Sequence, residues 1–222
     1  MDYILIFVPI VLIYLSQWYI NSSYAKYNAY KVQSNMTGSE VARLILDNNG
    51  LRNVKVQKIS GTLTDHFDPT KNIVSLSEDI YEVSSVASVA VAAHECGHVI
   101  QHKNKYVPIV IRSAIVPFVN FASKIGYVIM VVGLLASIFN LAMIGLVLMG
   151  ATLLFQLVTL PTEFDASKRG KKELLKLGVI TKKELPNVAS MLYAAAMTYL
   201  ASFFASFSQL LRLFLQINRR RN

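Results

Sequence analysis

The sequence predicts a mainly α membrane protein that carries a small α+β portion outside its spanning helices. Three observations lead there. The 222 residues are 54% hydrophobic and only 16% charged, where soluble domains carry about a quarter charged residues. Residues 125–162 contain no Asp, Glu, Lys or Arg, and such a run exceeds the roughly 20 residues one crossing needs and suits two. Between the first oily run and the second lie short alternating segments of the kind that form strands, and a helix rich in small residues.

Residues 1–20 are expected to form an N-terminal transmembrane anchor. "YILIFVPIVLIYLSQWYI" is long enough to span, and Trp18 and Tyr19 sit where an interfacial aromatic belt would. Neither a positive region before it nor a small-residue cleavage site after it supports a signal peptide. Residues 21–115 form the extramembrane portion. In "TGSEVARLILDNNGL" Thr37 and Glu40 make a capping box, Val41, Leu44 and Ile45 a stripe, and Gly50 a stop. "NVKVQKI" alternates as a half-buried strand, "GTLTDHFDPTKN" has the chemistry of a loop, and "IVSLS" is a second strand. Ser77 is placed to cap the next helical stretch, which leads after a break into "VAAHECGHVIQH".

Residues 116–160 read as a transmembrane hairpin, with helices over 125–139 and 141–160 turning near Asn140 and closed by Pro161. Residues 161–190 form a polar, basic segment whose helical pattern stops at Gly178. Residues 191–222 supply a last hydrophobic helix, a further span or a packed helix, with a basic tail. The net charge of +9 lies beside the oily runs without interleaved aromatics. That pattern fits the positive-inside tendency and anionic lipid, so the lipid bilayer is an expected partner and nucleic acid is not. Cys96, the single cysteine, excludes an internal disulfide and fits a reducing compartment.

His94-Glu95-Cys96-Gly97-His98 matches H-E-x-x-H. On a helix, residues four apart differ by about 40° and one turn, so His94 and His98 can face one zinc ion. Glu95 then stands beside that face, within reach of a water rather than of the metal. Cys96 points away and reads as a small buried residue. The surrounding "SVASVAVAAHECGHVIQ" is apolar almost all round, which argues for burial, and buried imidazoles need partners or a metal. An open zinc site needs a third protein ligand. His102 lies two turns from His94, about 12 Å along the axis, and reads as a helix-end residue or one that supports a ligand from behind. Glu163 and Asp165 in "LPTEFDAS" are the first charges after the uncharged hairpin. Two crossings return the chain to the side it left, so Glu163 is the expected third ligand. Asp165 is the alternative, or a partner orienting an imidazole. Both acids could also cap a helix starting near Pro161.

"LTDHFDP", "HECGH" followed by Ile100 and Gln101, and "LPTEFDAS" resemble the bacterial membrane-bound family of putative neutral zinc metallopeptidases of the YugP type. The resemblance covers most of the chain. It implies a zincin-like portion, Zn2+ as cofactor, a peptide or protein substrate, and His94, Glu95 and His98 as the motif residues. The wider gluzincins, to which that family is similar, complete the site with a downstream glutamate, which supports Glu163. Membrane gluzincins often place an aspartate four residues after that glutamate; here Ser167 stands there.

The expected reaction is peptide hydrolysis, within chains, with Glu95 as general base. His66 is the candidate donor to the developing oxyanion, and "NIVSL" a candidate free edge for strand addition by a peptide. Lysines and arginines crowd the segment after residue 160, so the catalytic portion of this multi-pass cell-membrane protein is expected on the cytoplasmic side, with the "MD" end outside. A last span would put Arg219, Arg220 and Arg221 outside, against that tendency. The competing reading is a non-catalytic transport or assembly protein with a structural zinc. Lys124 would be its candidate intramembrane charge, unless it snorkels from a helix end.

Overall fold

The computed structural model describes residues 2–221, the side chains of Asp2, Arg220 and Arg221 excepted. The outer placements expected for Met1 and for the last arginines therefore fall at or beyond the described residues. The elements are α1 (Asp2–Asn28), α2 (Gly38–Asn48), β1 (Lys55–Ile59), β2 (His66–Asp68), β3 (Ile73–Ser77), α3 (Glu78–Glu82), α4 (Val86–Lys103), α5 (Val107–Leu135), α6 (Phe139–Met149), α7 (Ala151–Lys176) and α8 (Leu185–Arg221). They divide into two compact units, one made of residues 1–17, 107–161 and 197–222, the other of residues 18–106 and 162–196.

In the first unit the helices carry their apolar side chains outward. Phe7, Tyr14, Phe118, Phe121, Val147 and Leu154 are all exposed, the pattern expected where the solvent is hydrocarbon. Among the described residues four helical stretches are long and apolar enough to cross a membrane: Tyr3–Asn28, Val107–Leu135, Phe139–Lys176 and Leu185–Arg219. α5 starts at Val107, ahead of the helix expected from residue 125. Its first half is apolar and exposed as well, and Pro117 lies inside the helix without ending it. The hairpin turn falls at residues 136–138 rather than near Asn140, which lies inside α6. Ser137 takes φ +59° and the Ile138 amide donates to the Gly133 carbonyl at 2.8 Å, a left-handed close of the helix end. Lys124 is exposed on α5, so it offers no buried intramembrane charge of the kind a transport pathway needs.

The second unit holds one core. Val41, Ala42, Ile45 and Leu46 of α2, Val74 and Leu76 of β3, and Val89, Ala90 and Ala93 of α4 meet Leu174, Val179 and Met191. α2 begins as its sequence predicts: Thr37 accepts from the Glu40 amide while the Glu40 carboxylate accepts from the Thr37 amide. Gly50, at φ +68°, follows its end. The sheet runs β1-β3-β2, with β1 parallel and β2 antiparallel to β3.

Two expectations are corrected here. "NIVSL" offers no free edge, because β3 is the central strand and both its sides are paired. Its partner β2 forms inside the segment with loop chemistry, where Asp68 turns the chain by accepting from the Thr70 and Lys71 amides. Ser77 precedes α3 without capping it. Its hydroxyl and amide both donate to Asp65, and Ser85 caps α4 instead by accepting from the Ser88 amide.

The larger correction concerns Pro161. It does not close a helix: α7 runs unbroken from Ala151 to Lys176 with Pro161 inside it. An interior proline forfeits one backbone hydrogen bond and crowds the previous turn, at a cost of about 3 kcal/mol, and the packing along the rest of this 26-residue helix must offset that. Glu163 and Asp165 therefore sit in mid-helix, and the capping role open to them at a helix start is ruled out.

Candidate metal centre

α4 and α7 bring the site together. Gly97, the second free position of the motif, faces Ala166 so closely that a Cβ there would lie 2.4 Å from the Ala166 carbonyl oxygen. Four residues further along α7, a Cβ on Gly170 would lie 2.7 Å from the Ala93 carbonyl oxygen. Each helix thus lends the other a glycine, and the two backbones touch. Side chains one turn away can then meet across the gap.

His94, His98 and Glu163 meet there, with ligand atoms all within 4.8 Å of one another. Nε2 of His94 lies 3.2 Å, and Nε2 of His98 3.4 Å, from Glu163 Oε2. The rings stand edge to face, their centroids 4.7 Å apart. Glu163 is 2% exposed, a burial a carboxylate tolerates only with strong partners. The far nitrogens of both rings are engaged too. His94 Nδ1 is 3.0 Å from Ser167 Oγ and His98 Nδ1 is 3.0 Å from Gln101 Oε1. The Gln101 carbonyl can only accept, so His98 carries a proton on Nδ1, and Nε2 is the nitrogen that can donate to Glu163 when protonated or ligate a metal when not.

Gln101 is itself fully buried. Its amide donates to the Thr162 carbonyl and to Asp165 Oδ2, both at 2.8 Å. Arg169 donates to the same Asp165 oxygen at 2.5 Å, and its guanidinium lies over the Tyr106 ring. Asp165 is thus the far end of a chain that holds Gln101, and it is not among the three clustered donors. Sequence reasoning missed Gln101 and Arg169. The signal was periodicity: Gln101 lies three residues after His98, Arg169 four after Asp165, Ser167 four after Glu163, each one turn along a face.

The other expected site residues fall as follows. Glu95 is buried beside the two histidines, and that burial pushes its carboxyl above the usual carboxylate range. For His98, burial alone would lower the pKa, but the Glu163 carboxylate outweighs it and raises it. Burial likewise drives the Cys96 thiol up; it contacts the Ala42 carbonyl and stays a protonated packing residue. His66 stands exposed on β2 with Nδ1 2.9 Å from the Thr64 carbonyl oxygen. His102 ends α4, edge-on to Phe67.

Two imidazole nitrogens and one carboxylate oxygen form a donor set that suits zinc, and three protein ligands leave it an open position. The family described as "Putative neutral zinc metallopeptidase" matches residues 2–218. The chain belongs to that family. Consistent with membership in this zinc metallopeptidase family, the chain is 43% identical over 210 residues, 93% of each chain, to "Putative membrane protease YugP" of Bacillus subtilis (strain 168). No solved structure matches it.

Proposed function

We propose that the protein is a membrane-embedded zinc peptidase of zincin-like, gluzincin type that cleaves within polypeptide chains. His94, His98 and Glu163 hold the metal in this reading and Glu95 is the general base. The observation that carries it is the meeting of three metal-type donors, from helices far apart in sequence, beside a buried glutamate of the same motif.

Zinc, when bound, lowers the pKa of water towards neutrality and polarises a carbonyl. Everything else falls to the chain. Gln101 and Ser167 hold the imidazoles in register, and Glu163 supplies the negative charge. Glu95, kept from solvent, takes a proton from the attacking water and passes it to the leaving amine. Its raised pKa brings it nearer the range in which such a relay works both ways. His66 is the proposed oxyanion donor. With Nδ1 turned to the Thr64 carbonyl, donation from its Nε2 needs the imidazolium form.

The catalytic unit is placed on the cytoplasmic side. Its two chain segments carry the lysines and arginines that flank the spans, among them Lys26, Lys103, Lys105, Lys168 and Lys172, while the turn at residues 136–138 carries none.

The test uses the purified full chain in detergent with a denatured protein as substrate. The parent should bind one zinc, release internal fragments and stop when a chelator is added. Glu95→Gln should keep the zinc and lose about 10²–10⁴-fold in rate, and His94→Ala should lose the metal. Cleavage by Glu95→Gln at the parent's rate would falsify the mechanism.

A further inference from the structure

A cavity of about 340 Å³ opens on the catalytic unit, walled by Tyr19, Phe164, Ser167, Lys171, Ser190 and Tyr193. We infer that it is the pocket that receives an acidic side chain of the substrate next to the scissile bond, with Lys171 as its charge partner. The inference rests on the peptidase reading and deepens it.

Position comes first. Ser167 is a wall of the cavity and also the residue whose hydroxyl meets His94 Nδ1 at 3.0 Å. The pocket and the metal centre therefore share a residue: Ser167 backs the His94 ring on the side away from Glu163, and the proposal has a substrate side chain pass that ring to enter the cavity. Lys171 follows Ser167 by four residues on α7, one turn on along the same face and about 6 Å away by helix rise.

Chemistry decides the occupant. Lys171 is half-buried, and among the described residues no carboxylate pairs with it. An ammonium on the wall of a cavity otherwise lined by aromatic, aliphatic and serine side chains attracts an anion and repels a basic side chain. The rings of Tyr19, Phe164 and Tyr193 suit methylene groups. Glutamate, with an apolar stem and a charged end, satisfies both. Sharing Ser167 with the metal centre favours a substrate side chain; Tyr19, at the expected membrane interface, makes an anionic lipid headgroup the rival occupant that the experiment must separate.

The experiment separates binding from hydrolysis. Zinc-loaded Glu95→Gln protein in detergent is titrated with labelled peptides that differ only by Glu or Gln at one position, scanned along the sequence. At one position the Glu peptide should bind about fivefold tighter, the scale of a partly exposed ion pair. Lys171→Ala in the same background should abolish that difference, and Lys171→Glu should transfer the preference to a Lys-bearing peptide, all with unchanged zinc content. Equal affinities at every position, or a preference indifferent to both Lys171 variants, overturn the pocket. So does a result in which Lys171 governs binding to phosphatidylglycerol vesicles and not to peptides. Cleavage of a mixed peptide library by the parent protein then shows whether the peptidase reading survives; a zinc-loaded parent that cleaves nothing sinks that reading itself.

Discussion

At the level of single residues, the two histidines differ in how firmly they are held. His98 leans on Gln101, which is buried and tied in turn to Thr162 and Asp165. His94 leans on the hydroxyl of Ser167 alone. Partners of metal-bound histidines commonly contribute about 10–100-fold in affinity. Gln101→Leu should therefore weaken zinc binding towards the upper end of that range, because it also removes the donor to the Thr162 carbonyl and one of the two donors to Asp165. Ser167→Ala should cost about tenfold at most. Competition with a chromophoric chelator measures both, and equal losses would contradict the asymmetry. Protons compete at the same place. His98 in the metal-free protein has a raised pKa, so the contribution of its ion pair with Glu163 is fully present below its ordinary value of about 6.5 and fades as pH climbs through the higher folded value. Glu95, also raised, acts in the same direction. The melting temperature of metal-free protein should thus fall on going from mildly acidic to mildly alkaline buffer, while the increment added by zinc grows as His98 sheds its proton. A metal-free protein whose melting temperature rises over that interval would be at odds with both shifts.

At the level of elements, the crossing of α4 and α7 is the feature on which the centre depends. Gly97 permits the backbones to touch at Ala166, and Gly170 does the same at Ala93. A methyl group at Gly97 meets main chain rather than a movable side chain, so the helices must separate. Gly97→Ala should destabilise the protein by about 1–3 kcal/mol, the usual cost of overpacking, and lower zinc occupancy by withdrawing Glu163 from the histidines. Thermal melts and metal analysis of the same sample read the two effects. Unaltered zinc occupancy would mean that the close approach does not set the geometry. The continuity of α7 through Pro161 matters for a related reason. Because Glu163, Ser167 and Lys171 are successive turns of one helix, ligand, imidazole partner and proposed pocket residue share a face.

At the level of the whole molecule, the proposed topology has all four membrane-length helices crossing, with the segments that carry His94 and Glu163 together on the cytoplasmic side and the 136–138 turn on the other. A cysteine placed at exposed Lys71 should be reached only by reagents that enter the cytoplasm, and one placed at Leu135, beside the hairpin turn, by impermeant reagents from outside. Cys96 is buried and does not interfere. The reverse labelling pattern would invert the proposed orientation.

Much of this protein could be read from its residues taken in order. The capping box of α2, the strands β1 and β3, the H-E-x-x-H helix and the apolar spans all declare themselves through local periodicity and hydropathy, which are properties of neighbouring residues. Glu163 was within reach too, since an uncharged hairpin must return the chain to its starting side. What lay out of reach were outcomes of competition between distant parts. Asp65 draws Ser77 away from capping α3, β2 pairs within a segment of turn residues, and α7 continues through a proline that would end an isolated helix. Gln101 becomes part of the centre only because Thr162 and Asp165 arrive beside it. Local sequence fixes what each stretch prefers, while a tertiary contact supplies the free energy that can override the preference, whether its partner lies 12 residues away, as Asp65 does from Ser77, or 61 and 64, as Thr162 and Asp165 do from Gln101.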